Sequence, residues 1–432
     1  MDEITAGIVG ICILMVMFLT GIELAYAMTL IGFIGLGYLG TFKAASNQVV
    51  KDFFDAFTSY GFTVIPLFVL MGQVASNSGI AKKIYNAAEK FVGHIPGGLA
   101  MTTVVGATLF KAMCGSTLAT CATFASIAIP EMARLGYSKK LSTGVVASVG
   151  TLGILIPPSV PLIIYGIITE QSIGKLFLAG IIPGLLIALF FIFVIYGWVK
   201  INPAIAQKAP KSTWKERAKA SPEFLWVAVI FAVVIGGMMA GFFSPTEAGS
   251  MGTAAVLILA YAKRAFPVRK LITSFEESLR TACMVIVLIA GSVVFGHFLA
   301  VTSIPFIAAD WIAGLPLHKN LVMVIIIFVY LIGGSFIDDL AFMILATPIF
   351  YPVIVKLGFD PIWFGIMIGI TIMIGVIIPP VAISVFVVKN ITGEPFSVIY
   401  AGVYPFLLAL VGCAALLFLF PQIATWLPAF AG

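Results

Sequence analysis

Four short stretches of this chain have the residue types and spacing to hold a small ion or a polar solute. Two are proline breaks, Gly150 to Gly166 (GTLGILIPPSVPLIIYG) and Gly375 to Val388 (GVIIPPVAISVFVV). Each carries an adjacent proline pair, Pro157-Pro158 and Pro379-Pro380, inside an apolar run. A proline removes a backbone donor and clashes with the preceding turn, so neither run continues as one helix. In an apolar setting the carbonyls freed at Gly153 to Ile156 and at Gly375 to Ile378 need protein, water or an ion to satisfy them. The other two stretches are polar interruptions, Cys114-Gly115-Ser116-Thr117 and Gly333-Gly334-Ser335.

Unwound carbonyls with Ser and Thr hydroxyls make a neutral oxygen cage that suits Na+, and helix N-termini at the same breaks suit a carboxylate. The expected cation contacts are Gly115, Ser116, Thr117, Gly153 and Ile156 in a first set, and Gly334, Ser335, Thr371, Gly375 and Ile378 in a second. The expected solute contacts are Ser116, Pro158 and Ser159, then Ser335, Pro380 and Val381. The plainer account is that Gly, Ser and Thr pack helices closely, as small residues do in membranes. Two interruptions paired with two proline breaks weigh against it.

Three ionisable groups sit beside these stretches. Asp338 or Asp339 either caps the helix that follows the second interruption or takes part in cation or proton coupling. Lys111 attracts an anionic solute, pairs with an acid, snorkels or bonds a carbonyl. The five cysteines and three histidines do not cluster, so neither a metal centre nor a nucleophile-base constellation has support. No enzyme activity and no cofactor are expected beyond Na+ as a coupling ion.

The elements that hold these residues follow from composition. The chain has 432 residues, 61% hydrophobic and only 10% charged, with mean hydropathy +1.15. That is too little charge for a soluble surface, and alternating barrel strands are absent. The chain reads as an all-α polytopic membrane protein. Apolar runs of spanning length fall at about 4–21, 24–41, 61–78, 139–168, 174–198, 222–242, 246–263, 278–302, 360–390 and 395–420. The first is taken as a span rather than a cleaved leader, since it has no basic start. Residues 42–60 and 79–92 are amphipathic and are expected along the interface. Residues 96–134 and 317–353 are each broken midway into halves short for a bilayer core of about 30 Å, so both read as re-entrant hairpins. Most of the 24 Lys and Arg fall on one side of this topology, which makes that side cytoplasmic and leaves no need for a nucleic-acid partner.

An internal repeat supports the reading. Displaced by 222 residues, Pro130 meets Pro352, Gly136 meets Gly358, Ile156-Pro157-Pro158 meets Ile378-Pro379-Pro380, and Pro183 meets Pro405. The odd number of spans between the two hairpins turns the second copy upside down. An inverted repeat with discontinuous helices is the geometry of alternating-access carriers. The expected organisation is a scaffold at 1–78, a first repeat at 79–198, a basic loop with central scaffold spans at 199–275, and the inverted second repeat at 276–432.

The runs CGSTLAT, IPEMARLGYS and GTLGILIPPSVPLIIYGIITEQSIGKLFLAGIIPG closely resemble the large membrane subunit of tripartite ATP-independent periplasmic (TRAP) transporters. GGSFIDDLAFMILATPIFYPVIVKLGFDPIWFG and GVIIPPVAISVFVV agree in the second half. The chain departs from the family where Cys114 replaces a usual Ser, and where Ile378 and Ala382 stand in a frequent Thr-Pro-Pro-Val-Gly. The resemblance implies an elevator-type carrier in a bacterial inner membrane, driven by Na+. It would import an organic acid such as sialic acid or a C4-dicarboxylate. It also implies a small four-span membrane subunit and a periplasmic solute-binding protein as partners. The alternative is a stand-alone Na+/carboxylate symporter that needs neither.

Overall fold

The computed structural model describes residues 2–263, 266–314, 316–336 and 338–430, and every regular element among them is helical. By length and composition, six helices among the described residues can cross a membrane, from Tyr60–Asn77 to Phe396–Leu419. The chain opens with Glu3–Leu19 and Leu24–Leu39, followed by the amphipathic Phe42–Thr58. Leu24–Leu39 packs along the 34-residue helix Val268–Val301, and buried Asp52 ties Phe42–Thr58 to the same helix. The Asp52 carboxylate lies 2.8 Å from His297 Nδ1 and accepts a 2.8 Å bond from Gln48 Nε2. A buried carboxylate needs such partners.

The repeat is visible as an order of elements. In the first half the helix pair Gly98–Lys111 and Thr117–Arg134 precedes Lys139–Gly150, a proline break, Val160–Ile168 and the long Ile173–Ile201. In the second half Lys319–Phe336 and Asp339–Lys356 precede Pro361–Gly375, a break, Ile383–Thr392 and Phe396–Leu419. Displaced by 222 residues, Thr117–Arg134 coincides end for end with Asp339–Lys356. The short helix Ile304–Gly314 precedes the second pair as Ile80–Val92 precedes the first, and sequence reading had not separated it from its surroundings.

The halves interlock through small residues. A Cβ added to Gly144 would fall on the Gly402 backbone, and one added to Gly402 would fall on Lys140 O. Only glycine lets the helices Lys139–Gly150 and Phe396–Leu419 approach this closely. Tyr165, in the helix after the first break, donates 2.7 Å to Pro361 O at the start of the helix that leads to the second.

One expectation is corrected. The second interruption does not lie at Gly333-Gly334-Ser335, because the helix Lys319–Phe336 runs through all three and the next helix begins at Asp339 with Asp338 as its cap. Glycine is tolerated in that helix because Gly333 leaves room for the Phe342 ring, while Asp338 has the side chain to start the next helix. Ile80–Val92 is amphipathic and packs its apolar face into protein, with Ile84 and Tyr85 wholly buried. Trp363 is buried and donates 2.9 Å to Leu417 O.

Candidate functional site

Each helix pair turns at a residue that caps its second helix. Ser116 ends the first turn, and its Oγ accepts from Ala119 N–H at 3.2 Å. Asp338 does the same in the second pair, accepting from Leu340 N–H at 3.2 Å and Ala341 N–H at 3.3 Å. Capping satisfies amide groups that have no partner within the helix and places the acid at the positive end of the dipole. Of the two roles considered for the acid pair, the cap is the one observed for Asp338. The Asp339 side chain lies outside the described residues.

At the first break, Lys139–Gly150 tightens into the 3-10 turn Thr151–Ile154 before the cis Pro157-Pro158 bond. Ser159 is wholly buried and closes the gap: its Oγ donates 2.6 Å to Ile154 O and accepts from Leu162 N–H at 3.4 Å. At the second break, also cis at Pro379-Pro380, Val381 stands where Ser159 would and has no hydroxyl. There Ser384 N–H reaches Val376 O directly at 3.4 Å, and Ala382 takes a left-handed conformation at φ 45°. Pro380 and Val381 are exposed, whereas Thr371 is buried and donates 2.7 Å to Met367 O within its own helix.

Turns and breaks meet in each half. A Cβ on Gly115 would stand 2.7 Å from Pro158 O, and one on Gly375 would stand 2.8 Å from Gly334 O. Val381 N–H donates 3.3 Å to Ser335 O, while Ser335 Oγ donates 2.7 Å to Ile332 O. At the first junction Lys111 is wholly buried, and its Nζ donates 2.8 Å to Ser116 O. Ile156 is buried against Gly184, and Ile378 is half-buried.

Both halves contribute to one cavity of about 130 Å³. Gly115, Ser116 and Thr117 line it from the first turn, and Pro161 from the helix after the first break. Asp338 and Val376 line it from the second half. Helices starting at Thr117, Val160 and Asp339 thus begin at or beside this space, an arrangement that can orient a small polar solute. Ser159, Ser335, Pro158, Pro380 and Val381 do not line it, and the hydroxyls of Ser159 and Ser335 bond backbone carbonyls instead. Gln73 and Thr281, from Val64–Asn77 and Val268–Val301, also line the cavity and were not singled out from sequence. The signal for Gln73 was available: it is a lone amide in the apolar run VIPLFVLMGQVA.

Comparison with known proteins agrees with this architecture. Residues 11–423 match the family described as tripartite ATP-independent periplasmic transporter, DctM component. The chain is 34% identical to the C4-dicarboxylate TRAP transporter large permease of Pseudomonas aeruginosa, over 88% of each chain. It is 31% identical to the sialic acid TRAP transporter large permease of Vibrio cholerae, over 92% of this chain and 93% of that one. Its fold is similar to the crystal structure of the YdaH transporter of Alcanivorax borkumensis, with a TM-score of 0.58 at 14% identity and 90% of both chains covered.

Proposed function

Because the chain belongs to the DctM-component family of tripartite ATP-independent periplasmic transporters, we propose that it is the translocating subunit of a Na+-coupled importer of an organic acid. It is a multi-pass bacterial inner-membrane permease and not an enzyme. The observation that carries the finer reading is the convergence of both helix-pair turns on one cavity beside the two proline breaks. In this reading the helix pairs are re-entrant, with their turns near the midplane. The repeats move as a core against a scaffold that includes the N-terminal helices and the central span Pro245–Ala262.

The solute is a carboxylate of the kind named for the relatives, a C4-dicarboxylate or sialic acid. It is placed beside Ser116 and Thr117, where helix N-termini favour an anion. Na+ is held at the second junction by backbone around Gly334, Gly375 and Ile378, with Ser335 and Thr371 beside it. A small four-span membrane subunit and a periplasmic solute-binding protein complete the system, as the word tripartite in the family description supports.

The test is uptake of labelled carboxylates into proteoliposomes holding this chain and its small subunit. Each solute is tried with and without an inward Na+ gradient and with and without the binding protein. Uptake that needs both is expected. Uptake that needs Na+ but no binding protein would make the chain a stand-alone symporter, and uptake indifferent to Na+ would remove the coupling ion.

A further inference from the structure

The first junction of turn and break holds a buried lysine that the second lacks. Lys111 is the last residue of the helix Gly98–Lys111 and is wholly buried. Its ammonium donates 2.8 Å to Ser116 O, a carbonyl that also accepts from Thr120 Oγ1 at 3.0 Å. The side chain crosses Gly153 so closely that an added Cβ there would fall on Nζ and stand 2.7 Å from Cε and 2.8 Å from Cδ. Gly153 belongs to the 3-10 turn that ends Lys139–Gly150. Two helices therefore end at this place, and helix C-termini present carbonyls and negative partial charge. The ammonium does not line the solute cavity; it lies behind Ser116, between the first turn and the first break. In the second half the residue at the Lys111 position, 222 further along, is Gly333.

We propose that the Lys111 ammonium is a resident cation that takes the place of Na+ at the first junction, leaving the second junction alone to bind the coupling ion. This rests on the reading of Na+ as coupling ion. The physical argument is one of equivalence: a single positive charge bonds a backbone carbonyl where two helices end, the kind of place that suits a bound Na+. Gly153 is part of the device, because any side chain there would displace the lysine.

The experiment counts bound 22Na+ on the complex of this chain with its small subunit in nanodiscs. It compares the unaltered protein with Lys111→Gly, which copies Gly333. The expected counts are one and two. Counts of none and one would uphold the resident cation and overturn Na+ coupling in the unaltered protein. Equal counts would overturn the resident cation, whether or not Na+ binds. If Lys111→Gly does not purify as a complex, Gly375→Ala with Lys111 intact decides. Its methyl would stand 2.8 Å from Gly334 C and O and fill the second junction. Complete loss of bound Na+ is then expected, and a Na+ that persists would overturn the proposal.

Discussion

Ser116 and Asp338, 222 residues apart, do the same work in their respective halves: Ser116 Oγ accepts from Ala119 N–H and Asp338 Oδ1 from Ala341 N–H. Ala119 and Ala341 are themselves 222 residues apart, so the repeat holds at the level of a single hydrogen bond. One half meets the shared cavity with a hydroxyl and the other with a carboxyl group. The cavity is therefore chemically asymmetric although its frame is repeated.

Removing the Asp338 cap should be a stability event separable from its charge. Asp338→Ala is expected to cost about 1 kcal/mol, the usual worth of an N-cap. Asp338→Ser, which copies Ser116, should recover most of it. Thermal unfolding of the detergent-solubilised protein measures both. If the serine variant is as unstable as the alanine variant, the hydrogen bonds are not what Asp338 contributes.

The Ser159 hydroxyl bridges a carbonyl and an amide across the first break. In Ser159→Ala both groups lose it inside a buried site, at a cost of about 1–3 kcal/mol. Val381→Ser at the matching position should change little, because there the amide already reaches the carbonyl directly. A comparison of the two variants' melting temperatures is the check, and equal losses would contradict the asymmetry.

Ala382 is a buried non-glycine residue at φ 45°. A left-handed conformation costs an L-residue about 1–2 kcal/mol, part of which glycine would return in unfolded-state entropy. Ala382→Gly is expected to raise stability by up to about 1 kcal/mol. A denaturation midpoint at or below that of the unaltered protein would refute this.

Gly115→Ala should separate the first turn from the first break, since the new methyl would stand 2.7 Å from Pro158 O, a backbone atom that cannot swing aside. Uptake is expected to fall at least about tenfold, equivalent to 1.4 kcal/mol on the barrier. Elution as an intact complex on size-exclusion chromatography would show that the fold survives. Unimpaired uptake would mean that this contact is not used during transport.

Gly402→Ala tests how the halves hold together. The added methyl would collide with Lys140 O, and overpacking of this kind costs about 1–3 kcal/mol. Hydrogen exchange should rise in Lys139–Gly150 and Phe396–Leu419 together, because they share the contact. Exchange that rises in only one of them would argue against a shared contact.

The sequence alone determined the class and the frame. Too few charges for a soluble surface, two proline pairs that must break their helices, and a 222-residue correspondence through Pro130, Pro157, Pro183 and their partners are all local or periodic signals. They point to a helical membrane carrier with two copies of one unit. Where the chain turns in the second unit was not legible: Gly333 and Gly334 look like a break, but glycine inside a helix is tolerated when a neighbour such as Phe342 needs the space. The helix Ile304–Gly314 was hidden because its sequence does not resemble Ile80–Val92, although it holds the same place in the order.

Tertiary structure decided which groups face one another. That Gln73 and Asp338 share a cavity wall, and that Lys111 lies across Gly153, depend on segments far apart in the chain meeting at their broken ends. Local propensity carries no information about such meetings. They are set by the close approach that Gly144, Gly153, Gly375 and Gly402 permit, and a glycine read in isolation does not reveal what it makes room for.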